Sequence, residues 1–554
     1  MIGSYMSTPA PANVAAVDED ELRSKIGTLS LEQKVRLMTG ADIWALHPEP
    51  AIGLCRMVTS DGPAGVRGER WDERYPSANV PSPTALAATW DEERLERIGS
   101  MLASEARSKG VDVLLAPTVN LHRTPYGGRH FECLSEDPLL TARIGSAYVR
   151  GLQAAGVGAT VKHFVANDSE TDRFTVDAQV DERTLRELYL APFEAIVREA
   201  GAWAVMAAYN SVNGATMTEN RLLRDVLKQE WAFDGVVVSD WYAGRSLAAA
   251  GDGLLDLVMP GPGGPWGDAL VDAVRSGEIP EPAVDDHVLR ILRLAARVGA
   301  LDDIAPAVAS TPQWTGQEIT AELRSSAAAG FVLARNKESL LPLDVGNLRR
   351  VAVLGPNAAV ARTLGGGSAT VFPRRVVSPL AGLRVAFGDD VEIVHAAGVR
   401  PGDRMPIAPV ELLRLPDSED TGVQVRFFGA DDTELGQEHR QAASMMWWGP
   451  IDENLAASEV DHLEVRTNVR VPEDGRYEIG TSGLGTFSLS VDGTIALDTT
   501  IELPPGADVV EGIMKPPQQT AQVDLPAGRD VPVVLKYRPA ASEATLGGEA
   551  VTML

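Results

Sequence analysis

Between about Asp18 and Asp303 the sequence repeats one unit, an apolar run of strand length followed by a longer stretch with helical spacing, and this repetition limits the fold most tightly. The runs are "CRMVTSDGP", "VDVLLAPTVN", "GATVKHF", "AWAVMAAYN", "GVVVSDW" and "LDLVMPG". Between them lie "WDEERLERIGSMLASEARSKG", "DPLLTARIGSAYVRGLQAAG", "DERTLRELYLAPFEAIVREAG" and "ENRLLRDVLKQEWAF". Strands that are apolar on both faces need cover on both faces, and a β-then-α repeat makes them run parallel. About 280 residues of this pattern suit a (β/α)8, TIM-like barrel. Six strands are evident in the sequence, so closure of the barrel is an inference.

Chemistry-bearing residues collect where these runs end: Asp61, Asn120, Lys162 with His163, Tyr209 with Asn210, and Asp240 with Trp241. Barrel sites are built from the loops at that face. Each residue also has a plainer reading. Asp240 follows the strand Val236 to Ser239 and precedes "YAGRSLAAAG", where an aspartate can cap a helix, whereas Trp241 beside it offers an apolar wall on which a sugar ring can stack. Lys162 needs acceptors, either sugar hydroxyls or an internal acid, and His163 is either a second donor to hydroxyls or a satisfied core histidine. Asp168 and Arg173 follow them in "TVKHFVANDSETDRF". In "TPYGGRHFECLSEDPLL", Arg129 presents a rigid fork that can bind vicinal hydroxyls or brace Glu132 or Glu136, while "SEDP" caps the next helix. "SDGPAGVRG" sets Asp61 and Arg67 around a tight turn.

Residues 1–17 read as a disordered leader and 18–303 as the barrel. A Pro-, Ala- and Thr-rich linker covers 304–317. "TAELRSSAAAGFVLARN", "RRVAVLGPNA" and "VEIVHAAG" then give a helix and two strands, the first part of an α/β sandwich domain over 318–400. From 401 to 554, short alternating runs such as "VQVRFFG", "HLEVRTNVRV" and "VPVVLKYRP" between Gly, Asp and Pro turns indicate an inserted antiparallel β-sandwich. With 77 acidic against 50 basic residues the formal net charge is −27, which repels phosphate backbones and anionic lipid, so neither nucleic acid nor a membrane is expected as a partner. Two cysteines, Cys55 and Cys133, lack zinc or disulfide spacing, and the expected location is cytoplasmic. No two of the eight histidines have metal-ligand spacing, so neither a catalytic metal nor a cofactor is expected. "GGGSAT" at Gly365 to Thr370 lacks the Gly-Lys-Ser/Thr ending of a phosphate loop, and no Gly-x-Ser-x-Gly elbow occurs.

In order, "SDGPAGVRG", "GRHFECLSEDP", "KHFVANDSETDRF", "VMAAYNSVNG", "VVVSDW" and "LDLVMPG" resemble the family 3 glycoside hydrolases, the β-glucosidases especially, over roughly residues 20–400. The resemblance implies a barrel joined to an α/β sandwich domain that carries, in some members, a protective-antigen-like β-sandwich insert. It implies Asp240 as nucleophile of a retaining, exo-acting β-glucosidase and Trp241 as aromatic wall. Asp61, Arg67, Arg129, Lys162, His163, Arg173 and Tyr209 would form the hydroxyl-binding shell, with Ser368 pointed into the pocket by the second domain. A retaining mechanism needs a second carboxyl group about 5–5.5 Å from the first, and Lys162 with the neighbouring arginines is expected to hold Asp240 charged. The family's acid/base glutamate follows the inserted sandwich and is expected beyond this chain's end, on a longer protein or on a second polypeptide that completes the α/β domain; a homo-oligomer is also kept open. The loop "VANDSETDRF" has no histidine, which sets aside the N-acetylglucosaminidase branch. A β-xylosidase or α-arabinofuranosidase, and a catalytically impaired carbohydrate-binding protein, stand as alternatives.

Overall fold

The computed structural model describes residues 18–399, 404–448, 451, 455–504, 512, 515–540 and 548–554. The leader expected over 1–17 and the first residues of the expected sandwich, 401–403, lie outside them. The chain divides into two compact units, the first made of residues up to Glu69, Ser77–Asp344 and Arg362–Arg375, the second of Arg70–Pro76, Val345–Ala361 and Val376–Leu554.

The first unit is built on a six-stranded sheet in the order β1 (Ala45–Leu46), β2 (Met57–Asp61), β3 (Val113–Leu115), β4 (Gly158–Phe164), β5 (Ala204–Ala207) and β6 (Val236–Ser239). Only the β1–β2 pair is antiparallel. Every residue of β2 to β6 is buried, as doubly covered parallel strands require. "LDLVMPG" makes single parallel bridges instead of a strand, Val238 to Leu257 and Thr39 to Val258, and Gly40 bridges Leu46 of β1. Backbone pairing thus runs on from β6 round to β1. Pro260 and Pro262 have no N–H to extend that ladder.

Helices cover the sheet in the order the sequence predicts. Asp91 accepts the Arg94 N–H to open α1 (Glu92–Ser108), and Asp137 accepts those of Leu139 and Leu140 to open α2 (Pro138–Gln153), the cap expected in "SEDP". A Cβ on Gly99 of α1 would lie 2.6 Å from the Tyr148 carbonyl oxygen of α2, so the glycine permits their close approach. A further helix, α3 (Glu281–Val298), buries Val284, Val288 and Leu292. The helix expected through "GFVLARN" stops sooner, as α4 (Gly316–Ala329), opened by a Thr315–Glu318 capping box. Gly330 passes so near the Ala85 carbonyl that a Cβ would stand 2.6 Å from it.

The second unit contains a two-stranded parallel sheet, β7 (Arg350–Leu354) with β8 (Glu392–Ala396), in which no residue is fully buried. It also holds two antiparallel sheets. One has Val423–Phe428, Glu434–Arg440, His462–Val469, Gly485–Val491, Thr494–Ile501 and Val531–Pro539; the other has Ser444–Trp448, Gly475–Gly483, Gln518–Leu525 and Gly548–Met553. Alternate residues such as Val531, Val533, Leu535 and Tyr537 turn inward, and both sheets feed one hydrophobic core.

Candidate active site

The C-terminal ends of β2, β4, β5 and β6 bring Asp61, Lys162, His163, Tyr209 and Asp240 into one buried group. Lys162 Nζ donates to Asp61 Oδ1 at 2.8 Å, so the internal-acid reading of Lys162 is realised. Arg67 Nη2 stands 3.8 Å from Asp61 Oδ2, and Arg67 Nη1 donates to the Ser368 carbonyl at 2.5 Å. Burial by itself would raise Asp61, but the charges of Lys162 and Arg67, with hydrogen bonds from Lys162 and Ser368, bring its carboxyl down to about 2. Burial likewise lowers Arg67 to about 10. Ser368 reaches this group because its segment is stitched to Ser77, whose N–H donates to the Phe372 carbonyl at 2.7 Å, and because Ala369 and Val371 are buried.

Asp240 caps no helix: the next one, Ala248–Gly251, has Leu247 at its N-cap. Its Oδ1 accepts the Trp241 N–H at 2.8 Å, while Oδ2, also buried, has no hydrogen-bond partner among the described residues. Burial pushes this carboxyl above its ordinary range, and Arg129, Lys162, Arg173 and the Trp241 N–H oppose the shift without cancelling it. Desolvation is the larger effect on this carboxyl, and Lys162 with the arginines acts in the expected direction, toward the charged form.

His163 lies with Nε2 3.6 Å from Asp240 Oδ2. Burial, reinforced by Arg129, Lys162 and Arg173, drives its pKa well below the usual value, so the ring is neutral. Nδ1–H donates to Asn120 Oδ1 at 3.1 Å, which leaves Nε2 to accept from Arg129 Nη2 at 3.0 Å. Of the two readings of His163, the geometry matches the satisfied histidine, whose one donor is held by Asn120. Arg129 also braces Glu132 at 2.5 Å, as the plainer reading has it. Arg173 binds Glu170 at 3.2 Å and lies 5.0 Å over the Tyr209 ring. Burial and the Asp240 charge hold the Tyr209 hydroxyl well above its normal pKa, protonated and able to donate.

Trp241 donates its indole N–H to the Ile43 carbonyl at 2.8 Å, and its ring centroid is 5.4 Å from that of Trp44. Trp44 in turn carries the Arg67 guanidinium at 4.2 Å. No sequence motif pointed to Trp44. Asp168 differs from the others, because burial raises its carboxyl to about 6 against Arg123 and His130, whereas the largest charges acting on Asp240 are Arg129, Lys162 and Arg173.

A buried carboxylate with one oxygen unbonded among the described residues thus lies among cations and beside an aromatic ring. Residues 27–294 match the glycosyl hydrolase family 3 N terminal domain and residues 331–548 its C-terminal domain, and the chain belongs to this family. It is 40% identical over 532 residues to a β-glucosidase of Rhizobium radiobacter, a match covering 94% of this chain and 62% of that protein. β-Glucosidase B of Emericella nidulans is 37% identical, with 94% and 61% covered. Among solved structures, a β-glucosidase from Kluyveromyces marxianus in complex with glucose superposes with a TM-score of 0.85 at 29% identity, over 97% of this chain and 65% of that one. The chain thus spans about three fifths of the length of the curated relatives it matches.

Proposed function

We propose that this chain carries the nucleophile and first sugar subsite of a retaining, exo-acting β-glucosidase. One observation carries the reading: Asp240 is a buried carboxylate whose Oδ2 has no well-formed hydrogen bond among the described residues, with the Tyr209 hydroxyl, which interacts with this carboxylate, and His163 Nε2 beside it. A buried polar atom left unpaired costs free energy unless a ligand comes to use it. The likeness to a structure determined with glucose supports glucose as the sugar.

In this reading Oδ2 attacks the anomeric carbon of a terminal β-D-glucosyl residue. The bond to the aglycone oxygen breaks, its electron pair leaves on that oxygen, and an acid supplies the proton. Water then attacks the glycosyl ester, gives its proton to the conjugate base, and frees the Asp240 carboxylate. Positive charge develops on the sugar ring beside a carboxylate whose ionisation burial penalises, so their attraction is strongest in the transition state. Trp241 supports a sugar face. Asp61, Arg67, Arg129, Lys162, His163, Arg173, Tyr209 and Ser368 form the shell that binds or orients hydroxyls.

Among the described residues Asp61 is committed to Lys162, Glu132 to Arg129 and Glu170 to Arg173, while Asp168, raised to about 6 and with a buried Oδ1 that lacks a partner there, feels Arg123 and His130 more than the cations around Asp240. We assign that role to a glutamate on further polypeptide that completes the α/β domain, where Leu354 of β7 is 75% and Val394 of β8 44% exposed. The first unit's sheet with its bridges is then the (β/α)8 barrel, and the two antiparallel sheets are the protective-antigen-like insert.

Treatment with 2-deoxy-2-fluoro-β-glucosyl fluoride tests the reading, since fluoride departs without a proton. Peptide mass spectrometry is expected to find the fluoroglucosyl ester on Asp240. An ester elsewhere overturns the nucleophile, and labelling only by the xylosyl analogue moves the assignment to a xylosidase. The shortage of a free acid favours a second reading, a glucose-binding protein without turnover. That reading predicts unchanged glucose affinity in Asp240→Asn and no ester on any residue.

A further inference from the structure

We propose that Trp44 is a positioning residue for the sugar subsite, one aromatic slab that sets both the cant of Trp241 and the pitch of Arg67. The inference rests on the glucoside reading of the site.

The Trp44 backbone is pinned on several sides. Asp42 Oδ1 accepts the N–H groups of Trp44 and Ala45, each at 2.8 Å, and the Ala41 N–H closes the turn on the Ala45 carbonyl at 2.7 Å. The Trp44 carbonyl accepts both the N–H and the hydroxyl of Thr59 in β2, at 2.8 and 2.7 Å. On the other side the Gly40 N–H donates to the Val258 carbonyl at 3.0 Å. A turn fixed both to β2, which ends in Asp61, and to the segment after β6 has little freedom to tilt.

Trp44 is only 6% exposed, and two residues assigned to the sugar meet its ring. The Trp241 ring lies 5.4 Å away at 34°, and the Arg67 Cζ sits 4.2 Å above the indole. Trp241 is tied again through its indole N–H to Ile43, the residue before Trp44. Two consecutive residues therefore hold the aromatic wall, leaving it half-buried with surface to spare. Arg67 has its Nη1 on the Ser368 carbonyl, and the indole face beneath it is the electron-rich surface a guanidinium prefers. Leucine would fill space without a flat face or a quadrupole, whereas phenylalanine would keep both.

The test uses the full chain with Trp44→Phe, Trp44→Leu, Trp241→Ala and the Trp44→Leu/Trp241→Ala double variant. D-Glucose affinity is measured by calorimetry, β-glucosyl fluoride turnover by fluoride release, and folding by thermal melting. Trp44→Leu is expected to raise the glucose Kd and the KM about tenfold while kcat falls less than about threefold, the pattern of lost uniform binding. Trp44→Phe should stay within about twofold of wild type, and in the Trp241→Ala background the leucine change should cost clearly less, because part of its effect passes through Trp241. Wild-type affinity in folded Trp44→Leu, or penalties that simply multiply in the double variant, would overturn the positioning role. Trp44→Met, similar in bulk but flexible, replaces the leucine variant if that does not fold. A wild-type protein that neither binds glucose nor releases fluoride overturns the glucoside reading itself, and the role of Trp44 with it.

Discussion

Two aspartates of the first unit are each buried against a lysine, Asp61 against Lys162 at 2.8 Å and Asp256 against Lys228 at 2.6 Å, yet their surroundings differ in what is left unbonded. Asp256 Oδ1 takes Lys228 and His287 Nδ1, and its Oδ2 takes the Val237 N–H at 2.7 Å. Lys228 and His287 use further hydrogens on the carbonyls of Gly253 and Ala250. That cluster is saturated, and it clamps β6 three residues before Asp240. Among the loops around Asp61 the bonding runs out: Asp240 Oδ2, Asn210 Oδ1 and both amide atoms of Asn167 are buried without partners among the described residues. A buried ionic group is costly in either place. The Asp256 cluster is bonded throughout and holds the backbone, whereas the unbonded atoms near Asp240 are what the glucoside reading assigns to a ligand.

The comparison breaks most visibly at Asp240. Asp240→Asn keeps the shape and removes the proposed nucleophile, so fluoride release from β-glucosyl fluoride should fall on the order of 10⁴-fold, with the melting temperature held or raised because a poorly solvated charge is gone. Residual turnover within tenfold of wild type would remove Asp240 from the chemistry. Next in size are Lys162→Met and Lys228→Met, each of which strands a buried carboxylate and should cost ~3–5 kcal/mol in a denaturant melt. Only the first should also weaken glucose binding. Equal loss of affinity in both folded variants would erase the distinction between the clusters.

Acid should reach the two clusters in sequence. Asp61 titrates near 2 in the folded protein against an ordinary value of 3.8. A depressed carboxyl contributes stability that is fully present above its unfolded pKa and is lost as pH falls through the folded one. For Asp61 that amounts to ~2–3 kcal/mol lost between about pH 4 and 2. Asp256 is driven lower still by Lys228 and His287, so Lys228→Met should remove more of the stability that survives at pH 3 than Lys162→Met does. Urea melts at pH 5 and pH 3 read the difference, and the reverse order would contradict it.

Asp240 and Lys162 are legible in the sequence because a β-then-α repeat delivers polar residues to strand ends, and Arg129 because it is a cation in a glycine-rich turn with acids close behind it. The alternating outer strands, with Val531 to Tyr537 as the clearest case, are legible because inward residues recur at every second position. Trp44 is not. It sits in a turn without periodicity, and its proposed role runs through Trp241 and Arg67, the first of which is tied to Ile43 across 198 residues of chain. The tautomer of His163 is hidden likewise, since it is set by Asn120 from another strand end. The direction of the Asp240 shift is a balance of large opposing effects, and a sequence that reveals nearby cations does not reveal how deeply they are buried. The helix expected through "GFVLARN" ends at Gly330, a residue that also passes close to Ala85, a contact no local pattern encodes.

That balance at Asp240 also gives the smallest and sharpest test. Arg173 is one of three cations opposing the effect of burial on the Asp240 carboxyl. Arg173→Gln removes that opposition, so the pKa should rise further, by no more than about one unit for a partly screened charge. In the proposed mechanism the attacking form is the carboxylate, and its fraction is lost as pH falls through the pKa. The acid limb of kcat/KM for β-glucosyl fluoride should therefore move to higher pH in Arg173→Gln. Arg290 makes the matching control, with Nε 4.0 Å from Asp256, an aspartate that already titrates far below the working range. Arg290→Gln should leave the limb where it was. A limb that moves down in Arg173→Gln, or moves equally in both variants, would mean that the group controlling turnover is not the carboxylate of Asp240.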